Sequence, residues 1–140
     1  MTTQDEKIGE LISLLVKNNL IDDTIIIFQS DNGHSTEERA FNGGGYTGPY
    51  RGAKQCLFEG GIRVPMIANW PNLIKKKTTT NHISAFHDFY ATVCDILGIE
   101  KPKAVNGLSF LPTLKSENQE KHQYRRFKEN YALAITALHV

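Results

Sequence analysis

TIIIFQSDNG, residues 24–33, is the segment from which the architecture of this 140-residue chain can be inferred. Four consecutive apolar residues, 25–28, in a segment of strand length predict a β-strand buried on both faces, as in a parallel sheet. Asp31, Asn32 and Gly33 follow, so two side chains with oxygen atoms stand at the carboxyl end of the strand. Because ligands of open α/β sheets bind at the carboxyl ends of the strands, this turn is a candidate site.

A long polar loop separates this turn from a second informative segment, GPYRGAK, residues 48–54. The loop contains three consecutive glycines, 43–45, and has neither helical nor strand periodicity, which is typical of functional or disordered loops. We interpret it as a flexible loop, with close approach of its backbone to a ligand as the alternative. The second segment ends in Lys54, a compact positive charge suited to binding an oxyanion. Strand, oxygen-bearing turn and lysine together predict part of an active site.

Composition narrows the classes of function. The formal net charge is +1, so the chain lacks the strong positive charge that is typical of nucleic-acid binding. The run of three lysines at 75–77 is better explained as a solvated loop than as a binding patch. No apolar run approaches 18 residues in length, which predicts no membrane-spanning helix. The polar residues 1–7 show no signal-peptide pattern, and the compartment is left unassigned.

The two cysteines, Cys56 and Cys94, are too few for a disulfide scaffold. Cys94 falls on the apolar stripe of a predicted helix, so we expect a small core residue. Cys56 follows Lys54 by two residues but belongs to no nucleophile motif. The sequence therefore predicts no cysteine chemistry.

Periodic segments flank the strand and the loop. Residues 5–19 place apolar side chains at helical spacing and predict an amphipathic helix that ends near Asn18 and Asn19. Residues 66–70, preceded by Pro65, predict a second short strand. A second helix is predicted over 84–97 with Gly98 as its C-terminal cap. Its expected core-facing stripe consists of Phe86, Phe89, Tyr90, Val93, Cys94 and Leu97.

The remaining segments complete a layered α/β domain. Residues 107–114 predict a turn and one short helix. For the apolar run 131–138 both helix and strand are left open. A helix that leads into a buried strand is one α/β unit, and the length of the chain favours a single domain.

The Asp31-Asn32-Gly33 turn by itself supports two interpretations. One anionic and one neutral oxygen are the donors that hard cations prefer, but calcium takes six to eight ligands. Asp-Asn-Gly is also ordinary turn chemistry. On spacing alone, the tight turn is the preferred interpretation.

The order of the motifs resembles that of the sulfatase family. The features that carry the resemblance are the buried strand, Asp31-Asn32-Gly33, the long loop, GPYRGAK at 48–54, FEGGIRVP at 58–65 and Trp70-Pro71. The helix at 5–19, Asp88, LGI at 97–99 and GLSFLP at 107–112 fit as well. The resemblance covers residues 5–115 and is nearest to the arylsulfatase and N-acetylgalactosamine-sulfatase type. It implies an alkaline-phosphatase-like fold, a layered α/β sheet with flanking helices, of which this chain holds a truncated part.

The resemblance implies roles for the matching residues. Asp31 and Asn32 match family ligands of a calcium ion, and Lys54 matches the lysine that contacts the substrate sulfate. His34 follows the metal turn and is a candidate contact to a substrate oxygen, with a surface loop histidine as the preferred alternative. Calcium and a lysine that converge on one sulfate would neutralise charge building on its oxygens.

Other matching residues are predicted to be structural. We expect Arg51 and Arg63 to be held by carboxylates or carbonyls of the loop rather than by substrate. The Gly-rich segment 59–61 is predicted to form a turn that shapes the wall of the site. His82 and His87 are expected to cap or pack at the start of the second helix.

The sequence also departs from the family. Sulfatases use a formylglycine made from the Cys or Ser of a Cys/Ser-x-Pro-x-Arg motif, and this motif is absent here. The paired aspartates that complete the calcium site are absent too. We interpret residues 1–115 as the C-terminal portion of a sulfatase catalytic domain and residues 116–140 as a divergent tail. A truncated or shifted reading frame would produce such a tail.

The sequence thus predicts a fragment of a calcium-dependent sulfatase that is inactive alone. In the intact enzyme the partner is a sulfate ester, with a sulfated carbohydrate as one option; family members are often exported. The alternative is a non-catalytic α/β module that pairs with a partner chain or forms a homo-oligomer through an exposed sheet edge. A third interpretation, a phosphate-ester hydrolase of the same superfamily, would require a Ser or Thr nucleophile, for which we find no candidate.

Overall fold

A computed structural model of the chain describes residues 2–38, 43–75 and 77–121, and the backbone of residues 135–139. Helices and strands are interspersed along the chain, as is typical of an α/β protein. In chain order they are α1 (Thr2–Lys17), β1 (Ile26–Gln29), α2 (Glu59–Ile62), β2 (Arg63–Asn69), β3 (Thr79–Ala85), α3 (Asp88–Ile96), α4 (Leu111–Leu114) and β4 (Ile135–His139).

The described strands form one sheet with the order β1-β2-β4-β3. β1 pairs antiparallel with β2, β2 pairs parallel with β4, and β4 pairs antiparallel with β3. β1 and β3 therefore run in the same direction, and their carboxyl ends lie at the same edge of the sheet. The apolar run 131–138, left open by the sequence, contributes a strand at 135–139.

The prediction that the first strand is buried on both faces of a parallel sheet is wrong. β1 lies at the end of the described sheet and is antiparallel to its neighbour, and the Phe28 side chain is 47% exposed. Ile27 packs against the core from the opposite face. A four-residue apolar run looks the same in a central strand and in an edge strand with two apolar faces, so periodicity could not separate them.

β2 shows the alternation of a half-buried strand. Val64, Met66 and Ala68 are buried, whereas the intervening side chains are exposed. The strand begins two residues before Pro65 rather than at it. The missing N–H of Pro65 is tolerated on the β1 side because the ladder with β1 covers only Met66 to Asn69.

One face of the sheet carries the core. The buried cluster consists of Met66, Ala68, Ile74, Phe110, Leu111 and Leu114. The short helix predicted within 107–114 is confirmed as α4, and it supplies Leu111 and Leu114 to this cluster. Ile27, Trp70, Leu73 and Ile96 pack around it.

α3 begins later than predicted and buries a different face. Residues 79–85 form β3, so the helix starts at Asp88 instead of 84. Its buried residues are Asp88, Ala91, Thr92 and Cys94, while the aromatic stripe is exposed apart from Cys94. The prediction for Cys94 is confirmed, and Gly98 takes the left-handed backbone conformation (φ 64°) expected just after a helix.

The polar face of α3 is buried because it binds the backbone of neighbouring segments. The Asp88 carboxylate accepts hydrogen bonds from the backbone N–H of Ala85 (2.6 Å) and of Leu108 (2.8 Å). The Thr92 hydroxyl accepts one from the N–H of Phe110 (3.0 Å). Buried backbone N–H groups need hydrogen-bond acceptors. The free-energy cost of leaving them unpaired outweighs the free energy that burying a Phe ring would gain.

α1 confirms the predicted helix but not its packing. It ends where expected, with Asn19 in the left-handed conformation (φ 56°). None of its residues is buried, and Leu11, Leu14 and Val16 are each more than half exposed. Within the described residues no helix is long and apolar enough to cross a membrane.

Candidate functional site

The Asp31-Asn32-Gly33 turn follows β1 directly and is fixed by its own backbone. The Ser30 hydroxyl donates to the carbonyl of Asn32 (2.8 Å), and the Gly33 N–H donates to the carbonyl of Gly61 in α2 (2.8 Å). A Cβ at Gly33 would lie 3.0 Å from the carbonyl carbon of Gly60 and closer still to its oxygen. The turn therefore lies against α2, which no side chain at position 33 would permit.

Lys54 is held beside this turn by a backbone hydrogen bond between the two segments. Its backbone N–H donates to the carbonyl of His34 (2.9 Å). Because His34 is two residues from Asn32, the predicted site residues Asp31, Asn32, His34 and Lys54 lie on two adjacent stretches of backbone. The structure thus brings together segments that are twenty residues apart in the sequence.

α2 is hydrogen-bonded to both the 31–34 turn and the 51–54 segment. The segment 59–61, predicted as a turn, is a single helical turn at Glu59–Ile62. The Gly60 N–H donates to the carbonyl of Arg51 (2.8 Å), and a Cβ at Gly60 would lie 2.7 Å from that oxygen. A Cβ at Gly61 would overlap the carbonyl oxygens of Ala53 and Cys56. Glycine is required at both positions because three stretches of backbone cross here.

The two arginines hold the loop to α2. Arg63 pairs with the Glu59 carboxylate, as predicted, and its guanidinium lies 4.9 Å from the centroid of the Tyr50 ring. Arg51 was expected to bind a carboxylate or carbonyl and instead lies over the Phe58 ring, 4.4 Å from the centroid. The flat, weakly hydrated guanidinium stacks well on an aromatic face, and the sequence spacing does not indicate which ring it meets.

His34 is half-buried beneath the Gly-rich loop. A Cβ at Gly45 would overlap the His34 side chain, so the loop backbone lies directly on the imidazole. The Nδ1 atom of His34 is buried and has no hydrogen-bond partner among the described residues. A buried polar atom without a partner costs about 1–3 kcal/mol, so a hydrogen-bond partner for this nitrogen would be stabilising.

The donors at the turn suit a hard cation in type but are few in number. Asp31 is exposed and Asn32 is half-buried. Among the described residues, no group of three or more His, Cys, Asp or Glu side chains is arranged to hold a metal ion. Two oxygen donors fall short of the six to eight that calcium takes, so a complete site needs further ligands.

Two other histidines, His82 and His87, were predicted to cap or pack at a helix start. His87 occupies the residue before α3, as predicted, but its side chain makes no cap hydrogen bond to the helix; its Nε2 atom lies 3.6 Å from the Asp88 carboxylate. His82 lies inside β3, so its predicted place beside a helix is wrong. Asp88 had no predicted side-chain role, yet its buried carboxylate joins β3, α3 and the 107–110 segment. The sequence signal for this role of Asp88 was a carboxylate near the start of a helix.

Comparisons with known proteins identify similar chains. The profile of the family described as Sulfatase matches residues 1–99. The chain is 31% identical over 134 residues to N-acetylgalactosamine-6-sulfatase of Mus musculus, covering 94% of this chain and 26% of that protein. It is 34% identical over 120 residues to steryl-sulfatase of Homo sapiens, covering 82% of this chain and 21% of that protein.

A solved structure supports the same relationship. It is a protein in complex with its substrate, D-glucosamine-2-N,6-O-disulfate, and it matches with a TM-score of 0.61 and 29% identity. The match covers 86% of this chain and 22% of the solved chain. The predicted fold class, part of a layered α/β sheet with flanking helices, is confirmed. The chain spans about a quarter of the length of the curated relatives that it matches.

Proposed function

The chain belongs to the sulfatase family, and from that premise we propose that it is a segment of a calcium-dependent sulfuric ester hydrolase. One observation carries the proposal: the backbone hydrogen bond from Lys54 to His34, beside the Asp31-Asn32 turn. It brings the backbone that carries a cationic side chain beside the backbone that carries two oxygen donors, near the carboxyl end of β1. Residues 1–115 are the C-terminal portion of a catalytic domain in this proposal, and residues 116–140 are a tail with a divergent sequence, whose strand β4 pairs with β2 and β3.

Asp31 and Asn32 are the proposed calcium ligands. Their carboxylate and amide oxygens match the preference of calcium for hard donors, and neither residue is fully buried. Calcium bound there would withdraw negative charge from the oxygens of a sulfate ester. The remaining ligands would come from water or from residues outside this segment, so we expect the 140-residue chain by itself to bind calcium weakly.

Lys54 and His34 are the proposed contacts to the sulfate ester. The Lys54 ammonium is a compact charge that can donate to a sulfate oxygen from a backbone fixed to the turn. The buried Nδ1 atom of His34 gains a hydrogen bond if a substrate oxygen reaches it. In this arrangement both residues bind and orient the ester, and neither attacks sulfur.

We expect the isolated chain to bind sulfate without hydrolysing an ester. Its sequence contains no Cys/Ser-x-Pro-x-Arg motif, the source of the family nucleophile. A purified 140-residue protein should therefore hydrolyse an aryl sulfate no faster than buffer does. Robust turnover, removed by Lys54→Ala, would contradict this expectation.

NMR titration of the full chain tests the metal and sulfate contacts separately. Calcium should shift the amide signals of Asn32 and Gly33, and Asp31→Ala should weaken that binding at least about tenfold, since it removes the charged ligand. Asp22→Ala, at another exposed aspartate, is the matched control. Calcium binding that survives Asp31→Ala unchanged would refute the assignment.

Inorganic sulfate provides the second titration. Lys54→Ala should reduce its affinity about fivefold or more, because the ammonium of half-buried Lys54 is the principal positive charge in the proposed site. Lys103→Ala changes an exposed lysine elsewhere and keeps the same net charge as the test variant. Equal sulfate affinity in the two variants would exclude Lys54 from the site.

The second candidate function is a non-catalytic α/β module that self-associates or pairs with a partner chain. The supporting observation is β1, whose outer side has no partner among the described strands. Edge strands are usually protected from pairing by charged residues, proline or bulges. Residues 24–30 contain no charged residue, proline or glycine. Sedimentation should then give a dimer mass that Ile26→Lys returns to the monomer; a monomer at all concentrations would refute this candidate.

A further inference from the structure

Lys54 stands at the corner of a tight turn formed by residues 53–56. The Cys56 N–H donates to the carbonyl of Ala53 (3.0 Å) and closes this turn. The base of the turn is fixed, because Ala53 is buried and its carbonyl oxygen packs directly against Gly61 of α2. The direction in which the Lys54 side chain leaves the turn therefore depends on its two central residues, 54 and 55.

Gln55, the residue after Lys54, has a backbone conformation that its side chain disfavours. Its φ is 73°, in the left-handed region, while the φ of Lys54 is negative. A positive φ at the third position is the geometry of a type II turn, in which glycine or asparagine is usual. A longer side chain stays in this region only where surrounding contacts hold it there. Gln55 therefore needs a contact that stabilises its conformation.

The contact that Gln55 makes is a hydrogen bond to the other end of the Gly-rich loop. Its side-chain Nε2 atom donates to the Glu37 carboxylate (3.0 Å), and the two residues are 18 positions apart. The Lys54 N–H donates to the carbonyl of His34 (2.9 Å), so a backbone bond and a side-chain bond join the same two segments. A hydrogen bond to a carboxylate is stronger than one between neutral groups. The turn that carries Lys54 is thus fixed at two adjacent points.

The same hydrogen bond engages an acidic group beside Lys54. The Glu37 carboxylate contacts the residue next to Lys54, and among the described residues the Lys54 ammonium forms no ion pair. A lysine that pairs with a carboxylate binds an anion less tightly, because the carboxylate repels the anion and competes for the ammonium. By holding the Glu37 carboxylate, the Gln55 amide leaves the ammonium available.

We propose that Gln55 is a positioning residue for Lys54, an inference that rests on the proposed function. Its hydrogen bond to Glu37 holds residue 55 in the left-handed conformation and directs the Lys54 side chain to the proposed sulfate site. The bond also keeps the Glu37 carboxylate from pairing with the ammonium. Gln55 acts through Lys54 and needs no contact of its own with the ester.

The test compares two neutral replacements of Glu37 that have nearly the same length, made in the full chain. Glu37→Gln keeps an oxygen acceptor for the Gln55 amide and Glu37→Met removes it, while both remove the same charge. In an NMR titration with inorganic sulfate, Glu37→Gln should bind about three- to tenfold more tightly than Glu37→Met, the effect of one hydrogen bond. The same two replacements of Glu38, an exposed neighbour, are the matched control and should give equal affinities.

A Gln55→Met background completes the double-mutant cycle. Without the amide donor, Glu37→Gln and Glu37→Met should bind sulfate equally. Gln55→Met alone, which keeps the Glu37 charge and removes its Gln55 partner, should bind more weakly than Glu37→Met. A difference between the two Glu37 variants that persists in the Gln55→Met background would overturn the inference.

Gln55→Gly separates positioning from stability. Glycine adopts a positive φ without strain, so the urea midpoint of this variant, followed by circular dichroism, should be unchanged or higher. Its sulfate affinity should nevertheless fall about threefold or more, because the hydrogen bond that orients Lys54 is lost. Unchanged affinity in Gln55→Gly would show that Lys54 needs no positioning by this side chain.

The outcomes distinguish this inference from the function on which it rests. If Lys54→Ala weakens sulfate binding but the two Glu37 variants bind equally, the positioning inference is wrong and the sulfate site stands. If Lys54→Ala leaves sulfate affinity unchanged, the proposed function is wrong, and hydrogen exchange of the Lys54 amide decides the inference. Exchange that is faster in Glu37→Met than in Glu37→Gln supports the positioning of Lys54 by this bond, and equal rates overturn it.

Discussion

The crossing of three backbone segments at α2 makes Gly60→Ala the most informative stability experiment. The added Cβ would lie 2.7 Å from the carbonyl oxygen of Arg51 and closer still to that of Gly52. Both obstacles are backbone atoms, so no side-chain rotation relieves the overlap. The Gly60 N–H also donates to the same Arg51 carbonyl (2.8 Å), and any shift that makes room weakens this hydrogen bond.

The expected cost follows from these two effects. Overpacking a tight interior costs about 1–3 kcal/mol, and one weakened backbone hydrogen bond adds about 0.5–1.5 kcal/mol. Gly60→Ala should therefore lower the free energy of unfolding by about 2–4 kcal/mol. Lys54 is on the displaced segment, so the affinity for inorganic sulfate should fall as well.

Gly9→Ala is the matched control because the chemical change is the same and the surroundings are open. Apart from its chain neighbours and the backbone of the helix itself, no described atom lies within 4 Å of a Cβ at Gly9, which is inside α1. Alanine at a helix interior should stabilise the protein by about 0.5–1 kcal/mol. Urea unfolding followed by circular dichroism measures both variants. A Gly60→Ala variant within about 0.5 kcal/mol of the unmodified chain would refute the described crossing.

Two further substitutions test the supports of the site and of α3. Asp88→Asn replaces one oxygen acceptor by an NH₂ donor facing a backbone N–H, so unfolding should become easier by about 2–3 kcal/mol in urea, whereas Asp22→Asn at the surface should change little. Arg63→Ala removes an ion pair and the contact with Tyr50 and should cost about 1 kcal/mol in the same assay. Lys7→Ala, which removes only an exposed helix pair, should cost less than half of that, and equal costs would show that the Arg63 contacts contribute nothing specific.

Local patterns were sufficient for the elements that depend on neighbouring residues. Apolar spacing and the terminal asparagines gave α1 and its end, and the 107–114 pattern gave α4. The order of motifs gave the family, because the Asp31-Asn32-Gly33 turn and the GPYRGAK and FEGGIRVP segments recur in a fixed sequence. These features depend on the local sequence and not on contacts with distant residues.

The candidate site was predictable as a list of residues and not as an arrangement. The motif order pointed to Asp31, Asn32 and Lys54, but their proximity depends on the Lys54 N–H reaching the His34 carbonyl across the Gly-rich loop. A loop that closes in this way produces no periodic pattern in the sequence. The buried Nδ1 atom of His34 is likewise a consequence of where the loop backbone lies.

The sequence alone determined the family, the helices α1 and α4, and the presence of strands at β1 and β2, but it did not predict β3. The tertiary structure decided which faces are buried, and two of the burial predictions that it reversed show why. β1 became an antiparallel edge strand because pairing partners come from distant segments. α3 turned Asp88 and Thr92 inward because the backbone N–H groups of Ala85, Leu108 and Phe110 need acceptors, a demand made by residues up to twenty positions away that helical periodicity cannot register.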